Sequence, residues 1–140
     1  ERMVPDAHAP TGICWAYENR TAAIRIPGGA PAARRIEHRV AGGDINPYLT
    51  FSVILGAALT GIEDGVEPAD PIIGNAYEQD LPQLSETWAT AIDDFEASVQ
   101  MKRILDPRLI RNLVMTKRQE LDHMSRLPEE DHWKVYLEKV

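Results

Sequence analysis

Cysteine is nearly absent from this 140-residue chain: Cys14 is the only one. That excludes an internal disulfide and fits a reducing, cytoplasmic compartment. No secretory signal, internal repeat or low-complexity tract is visible. The longest charge-free apolar run, Pro47 to Ile62, is too short to span a bilayer. Lysine does not occur before Lys102. A nucleic-acid surface usually spreads lysine and arginine over a face, so that function class is disfavoured. A strong charge excess without apolar residues would signal disorder, but 44% of the residues are hydrophobic. The length suits one domain that buries roughly two-thirds of its unfolded surface.

What is present is arginine, and it is local. The formal net charge is −7, yet residues 1–40 carry six arginines against four acids, a balance of +2, leaving −9 for residues 41–140. Arg20, Arg25, Arg34, Arg35 and Arg39 fall within twenty residues, with Glu37 among them. Such a group repels itself unless an anion sits within it, and phosphate or carboxylate suits the guanidinium fork best. The stretch 34–40 reads as a β-strand. Its alternation puts Arg35, Glu37 and Arg39 on one face and Ile36, His38 and Val40 on the other. Arg34 then faces away and is structural. Glu37 either pairs with an arginine or holds a metal ion. The face itself is either an ion-pair ladder or a ligand site.

The remaining organisation is coarse. A strand is expected at 13–17 and others at about 20–27 and 34–40, with Pro27-Gly28-Gly29-Ala30-Pro31 as a turn-prone connector. That connector lacks the Lys-Ser/Thr of a phosphate-cradling loop. Asn46-Pro47 starts a helix running to about Ile62, and its all-round apolarity predicts burial. Residues 63–83, acidic and proline-containing, read as an extended surface loop whose charge either is merely solvated or attracts a polyamine. Ser85 caps a helix with Trp88, Ile92, Phe95 and Val99 at helical spacing. Asp106-Pro107 starts another, and Pro128 opens a last short helix burying Trp133, Tyr136 and Leu137. Cys14 reads as a small core residue, His38 as packed or hydrogen-bonded, and His123 and His132 as solvated. The fold class is α+β: a few antiparallel strands, about 1–45, followed by about four helices, about 46–140. The chain starts Glu1-Arg2 without an initiator methionine and holds little sheet, so it reads as a piece of something longer.

Three motifs carry a resemblance: Asn19-Arg20-Thr21-Ala22-Ala23-Ile24-Arg25-Ile26-Pro27, Ala33-Arg34-Arg35-Ile36-Glu37-His38-Arg39, and Asn46-Pro47-Tyr48-Leu49. Together they resemble the C-terminal part of the catalytic domain of glutamine synthetases. The resemblance implies a ligase. ATP phosphorylates the γ-carboxylate of glutamate, and ammonia or an amine then displaces phosphate. It implies Mg²⁺ or Mn²⁺ as cofactor, two or more per site, and a dodecamer of two stacked rings for the full-length protein, with no membrane or nucleic-acid partner. By motif, Arg2 and Arg39 would bind glutamate, and Arg20 the phosphoryl group in flight. Arg25 and Arg35 would contact nucleotide phosphates, and Glu37 would ligate a metal. One carboxylate cannot hold two metal ions, so further ligands are expected upstream.

The sequence departs from the ammonia-using pattern. His8 stands where those enzymes place a glutamate that binds and deprotonates ammonium; an imidazole can act as a base but is a poor cation site. It is otherwise a loop residue or part of the amine pocket. Ala32 replaces a nucleotide-side lysine. Val40-Ala41-Gly42-Gly43-Asp44 looks like the γ-glutamylpolyamine or γ-glutamylamine synthetase branch. Asn75-Ala76-Tyr77 resembles the tyrosine loop adenylylated in some bacterial enzymes, but Glu78-Gln79 extends it, which disfavours that modification. The expectation is a γ-glutamyl amide ligase preferring a small amine or polyamine. The alternatives are a true glutamine synthetase or, for the isolated piece, a non-catalytic assembly module.

Overall fold

The computed structural model describes residue 3 and residues 9–137. It is α+β, as expected. Strands β1 (Trp15–Tyr17), β2 (Ile24–Ile26) and β3 (Glu37–His38) form one sheet in the order β1-β2-β3. The chain divides into two compact units. One contains the strands, through Gly43, together with Val66–Glu86; the other contains Asp44–Gly65 and the chain from Thr87. The acidic segment thus folds with the strands, where a division near residue 45 assigned it to the helical part.

The sheet is mixed. β2 and β3 pair antiparallel, with Arg25 opposite Glu37 and Ile24 opposite His38. β1 and β2 pair parallel, with Trp15 opposite Ile24. A parallel return normally needs a long crossover. Here each strand is three residues long, about 10 Å, so residues 18–23 suffice to bring the chain back. Glu18 makes the turn in a left-handed conformation, φ 53°, uncommon for a residue with a Cβ. The strand expected at 34–40 shrinks to two residues because Pro31–Ala33 forms a 3-10 turn and Arg34 closes it with an N–H bond to the Pro31 carbonyl. Ile36 and His38 are exposed and Val40 is half-buried, so the predicted apolar face of that strand is only partly covered by the described residues.

The strand unit is held by small buried residues and hydrogen bonds. Ala9, Pro10, Ala16, Ala22, Ala23, Pro27 and Ala76 are among its buried apolar groups. Residues 66–86 are tied along β1 and its approach. The Ile72 N–H donates to the Trp15 carbonyl at 3.0 Å, Ile13 to Pro82 at 2.7 Å and Leu84 to Thr11 at 2.7 Å. The Trp15 indole donates to the Ala69 carbonyl at 2.6 Å. The expected extended surface loop is mostly exposed and is also bonded to the sheet edge as a strap. Cys14 is only half-buried.

The second unit contains helices α1 (Pro47–Glu63), α2 (Trp88–Ala97), α3 (Val99–Ile104) and α4 (Pro107–Ser125). Asn46 and Asp106 cap α1 and α4 as the sequence predicts, each followed by proline. α2 is capped by Thr87, not Ser85, because Thr87 and Thr90 bond each other's backbone N–H reciprocally. Ser98 ends α2 and caps α3 through the Met101 N–H, which leaves Val99 exposed rather than in the α2 stripe. Ile92, Leu105, Ile110 and Val114 form the core, with Val53, Trp88, Phe95, Met101 and Ile104 against it. α1 lies close to α3 at Gly56, where a Cβ would collide with Ile104.

Two burial expectations are corrected. α1 holds no buried residue, and Tyr48, Phe51, Leu55, Leu59 and Ile62 are 60–83% exposed. A helix apolar all round needs partners all round, and the described residues supply them on one side. The last helix is a 3-10 segment, Glu129–Val135, with Trp133 and Leu137 exposed and Tyr136 half-buried. His132 is half-buried rather than fully solvated: its ring Nε2 meets the Met124 and Leu127 carbonyls at 3.0 and 3.2 Å. No helix among the described residues is long and apolar enough to cross a membrane.

Candidate anion-binding site

Arg25 and Glu37 meet because the sheet register places them directly opposite on β2 and β3. Arg25 Nη1 donates to Glu37 Oε2 at 3.1 Å. Arg35 completes the cluster from the other side, with Nε and Nη2 at 3.1 and 2.7 Å from Glu37 Oε1. Each carboxylate oxygen of Glu37 therefore accepts from a guanidinium. The Arg25 and Glu37 side chains are 18% and 28% exposed against 56% for Arg35, so the inner pair is the less screened one. Glu18 adds a second carboxylate, 3.9 Å from Arg25.

The formal charges of these four side chains balance, but their hydrogen bonding does not. Arg25 Nε and Arg39 Nη1 are buried donors without a hydrogen-bond partner among the described residues. Buried charged donors are costly to leave unsatisfied, so their acceptor is expected to be a ligand or further protein. Arg39 is positioned by its own backbone, whose N–H donates to the Ala23 carbonyl at 2.9 Å. Next to Arg25 opens a cleft of about 610 Å³ lined by Glu18, Asn19, Arg20, Thr21, Arg25 and Asn75, among others. Arg20 is exposed on its wall.

The structure thus brings together Arg20, Arg25, Arg35 and Glu37. Arg34 is exposed, as its predicted structural role allows. Arg2 and His8 lie outside the described residues. Asn19 and Thr21 belong to the site as well. Their role was missed because neither is charged; the signal was their position on either side of Arg20. A divalent cation is tested by the donor set. Among the described residues no three His, Cys, Asp or Glu side chains converge, and both Glu37 oxygens are taken by arginine. The described residues alone do not make a metal site, although they suit an anion.

The helical unit offers a different cleft, about 320 Å³ between α2 and α4, lined by Trp88, Ile92, Phe95, Leu113 and Val114 with Lys117 at its edge. It has no cluster of convergent polar groups.

Comparison with known proteins agrees with the motifs. The catalytic domain of glutamine synthetase matches residues 1–136. The chain belongs to the glutamine synthetase family. A γ-glutamylethanolamide synthetase of Streptomyces coelicolor is 35% identical over 87% of this chain and 26% of its own length. A glutamine synthetase of Methanocaldococcus jannaschii is 34% identical over 87% and 29%. A γ-glutamylputrescine synthetase of Escherichia coli is 33% identical over 90% and 27%. The solved ligand-free structure of GmaS superposes with a TM-score of 0.71 at 28% identity, over 93% of this chain and 31% of that one. The chain spans less than a third of these relatives. Both glutamine synthetases and γ-glutamylamine synthetases are found among these relatives.

Proposed function

We propose that this chain carries one wall of an ATP-dependent γ-glutamyl ligase site. The carrying observation is the buried guanidinium nitrogen of Arg25, unsatisfied among the described residues, beside the cleft that Arg20 lines, with a second such nitrogen on Arg39. Phosphoryl transfer needs little more from a protein than positioning and charge stabilisation, which arginine forks provide. In this reading Arg25 and Arg35 hold nucleotide phosphates, Arg20 the phosphoryl group in transfer, and Arg39 and Arg2 the carboxylates of glutamate. The γ-carboxylate oxygen attacks the γ-phosphorus of ATP, and ADP leaves. The amine nitrogen then attacks the acyl carbon, phosphate leaves, and the amine proton passes to a base, for which His8 is the candidate. Glu37 would contribute one carboxylate to a Mg²⁺ or Mn²⁺ ion, giving up an arginine contact to do so, with the other ligands supplied from outside the described residues. The ion neutralises phosphate charge when bound. An intact enzyme of this class works as a homo-oligomer, with a dodecamer the expected form.

The amine is proposed to be organic. Support comes from His8 in place of a glutamate, from Val40-Ala41-Gly42-Gly43-Asp44, and from the amine-using names among the relatives. Phosphate release by the full-length protein with ATP, Mg²⁺, glutamate and a panel of amines tests this. Putrescine, ethanolamine or another amine should outrun ammonium. Ammonium outrunning them all would return the protein to true glutamine synthetase, and no release with any acceptor would leave the non-catalytic reading.

A further inference from the structure

We propose that Asn19 and Thr21 are positioning residues for Arg20, and that they act by clamping its backbone to the turn at residues 74–76. The proposal deepens the ligase reading and rests on it. Arg20 is exposed, so packing does not set its direction; its two neighbours do. The Asn19 side chain is used at both ends. Its Oδ1 accepts from the Thr21 N–H at 2.9 Å and from the Thr21 hydroxyl at 2.7 Å. Its Nδ2 donates to the Gly74 carbonyl at 2.7 Å. The Thr21 hydroxyl in turn accepts from the Ala76 N–H at 2.9 Å. Two side chains, on either side of the arginine, thus reach across more than fifty residues of sequence to one turn.

The turn is itself built to receive them. Gly74 adopts φ 84°, a left-handed conformation that favours glycine and aims its carbonyl at Asn19. Asn75 caps the following 3-10 segment Ala76–Glu78 by accepting from the Tyr77 N–H at 3.1 Å. Asn75 and Gly74 also line the cleft that Arg20 and Arg25 line. On the other side, Glu18 at φ 53° turns the chain into Asn19 and its carboxylate accepts from the Gly28 N–H. The arginine therefore sits on a short arch with one foot on β1 and the other on the 74–76 turn. Displacing that turn moves Arg20 without touching it.

The test uses the full-length protein, with Thr21→Val, Thr21→Ser and Asn19→Ala. Three readouts are taken: ATP-dependent phosphate release, affinity for inorganic phosphate, and hydrogen exchange at the Ala76 amide. Thr21→Val keeps the shape and loses the hydroxyl. It and Asn19→Ala should speed Ala76 exchange at least tenfold. Both should lower kcat at least tenfold, while KM for glutamate stays within about threefold. Thr21→Ser should restore both. If Thr21→Val frees the Ala76 amide but leaves turnover and phosphate affinity unchanged, or if Thr21→Ser loses as much as Thr21→Val, the clamp does not position Arg20. If the wild-type protein turns over nothing, the ligase reading fails by itself. Weakened phosphate binding in Thr21→Val would then still support the clamp, and undiminished or undetectable phosphate binding throughout would overturn it.

Discussion

The strand unit and the helical unit are stabilised by different physics, and the candidate site lies in the one with the thinner core. The helical unit buries Ile92, Leu105, Ile110, Val114 and Met124. The strand unit buries alanines and Pro10 and relies on tethers such as Trp15 to Ala69, Asn19 to Gly74 and Tyr77 to Ala9. A buried large aliphatic side chain removes far more apolar surface from water than an alanine does. Hydrogen bonds, by contrast, fix direction at small net stability. A site that must aim several guanidinium groups benefits more from direction than from bulk. The comparison predicts that damage in the helical unit reads out as lost stability and damage in the strand unit as lost function.

The largest expected effect is Glu37→Ala, which removes the group that both Arg25 and Arg35 hold. Mg²⁺-dependent turnover of the full-length enzyme should fall by roughly 10²–10³-fold, the scale of losing a preorganised charge-stabilising contact. Arg34→Ala, exposed and off the cluster, should stay within about twofold, since surface changes away from such features do little. Equal losses would erase the distinction between Glu37 in the cluster and Arg34 off it. Next comes Ile110→Ala in the helical core. Urea unfolding should show a loss of about 3 kcal/mol, within the range for truncating a buried isoleucine, with turnover at permissive temperature nearly intact. A loss under about 1 kcal/mol would mean that this core collapses easily and is not the stabilising element.

Tyr77→Phe is a milder cut, deleting the hydroxyl that donates to the Ala9 carbonyl at 2.8 Å. It should cost about 1 kcal/mol in thermal unfolding, and a larger turnover effect than this explains would make the tether part of the site. The smallest effect concerns Asp64. The Arg103 guanidinium, bonded to it at 2.5 and 3.0 Å, holds its carboxyl below the usual carboxylate range. A depressed carboxyl contributes stability above its unfolded pKa and loses it as pH falls through the folded one. Melting temperature should therefore drop toward low pH slightly less in Arg103→Gln than in the wild type. The pair is solvent-screened, so added salt should narrow that difference further.

Much of the fold was legible in the chain. Asn46-Pro47 and Asp106-Pro107 read as helix starts because capping is decided within four residues. The α2 start was misplaced by two residues, since Ser85 and Thr87 are both competent caps and Thr90 chooses between them. The strand at 34–40 was overread because alternation survives in a segment of which only Glu37 and His38 pair. Within the site, Arg25, Arg35 and Glu37 were legible from charge density. Asn19 and Thr21 were not, as their partners lie more than fifty residues away.

By itself the sequence determined the family, the α+β class, the helix starts and the fact that one short stretch gathers the arginines. These depend on residue type and local spacing, which are present in the chain before it folds. Only the tertiary structure decided which arginines share a carboxylate, which guanidinium nitrogens are buried without an acceptor, and that the acidic segment returns to strap the sheet. Those outcomes depend on strand register and on hydrogen bonds between distant residues, and neither is written in local spacing.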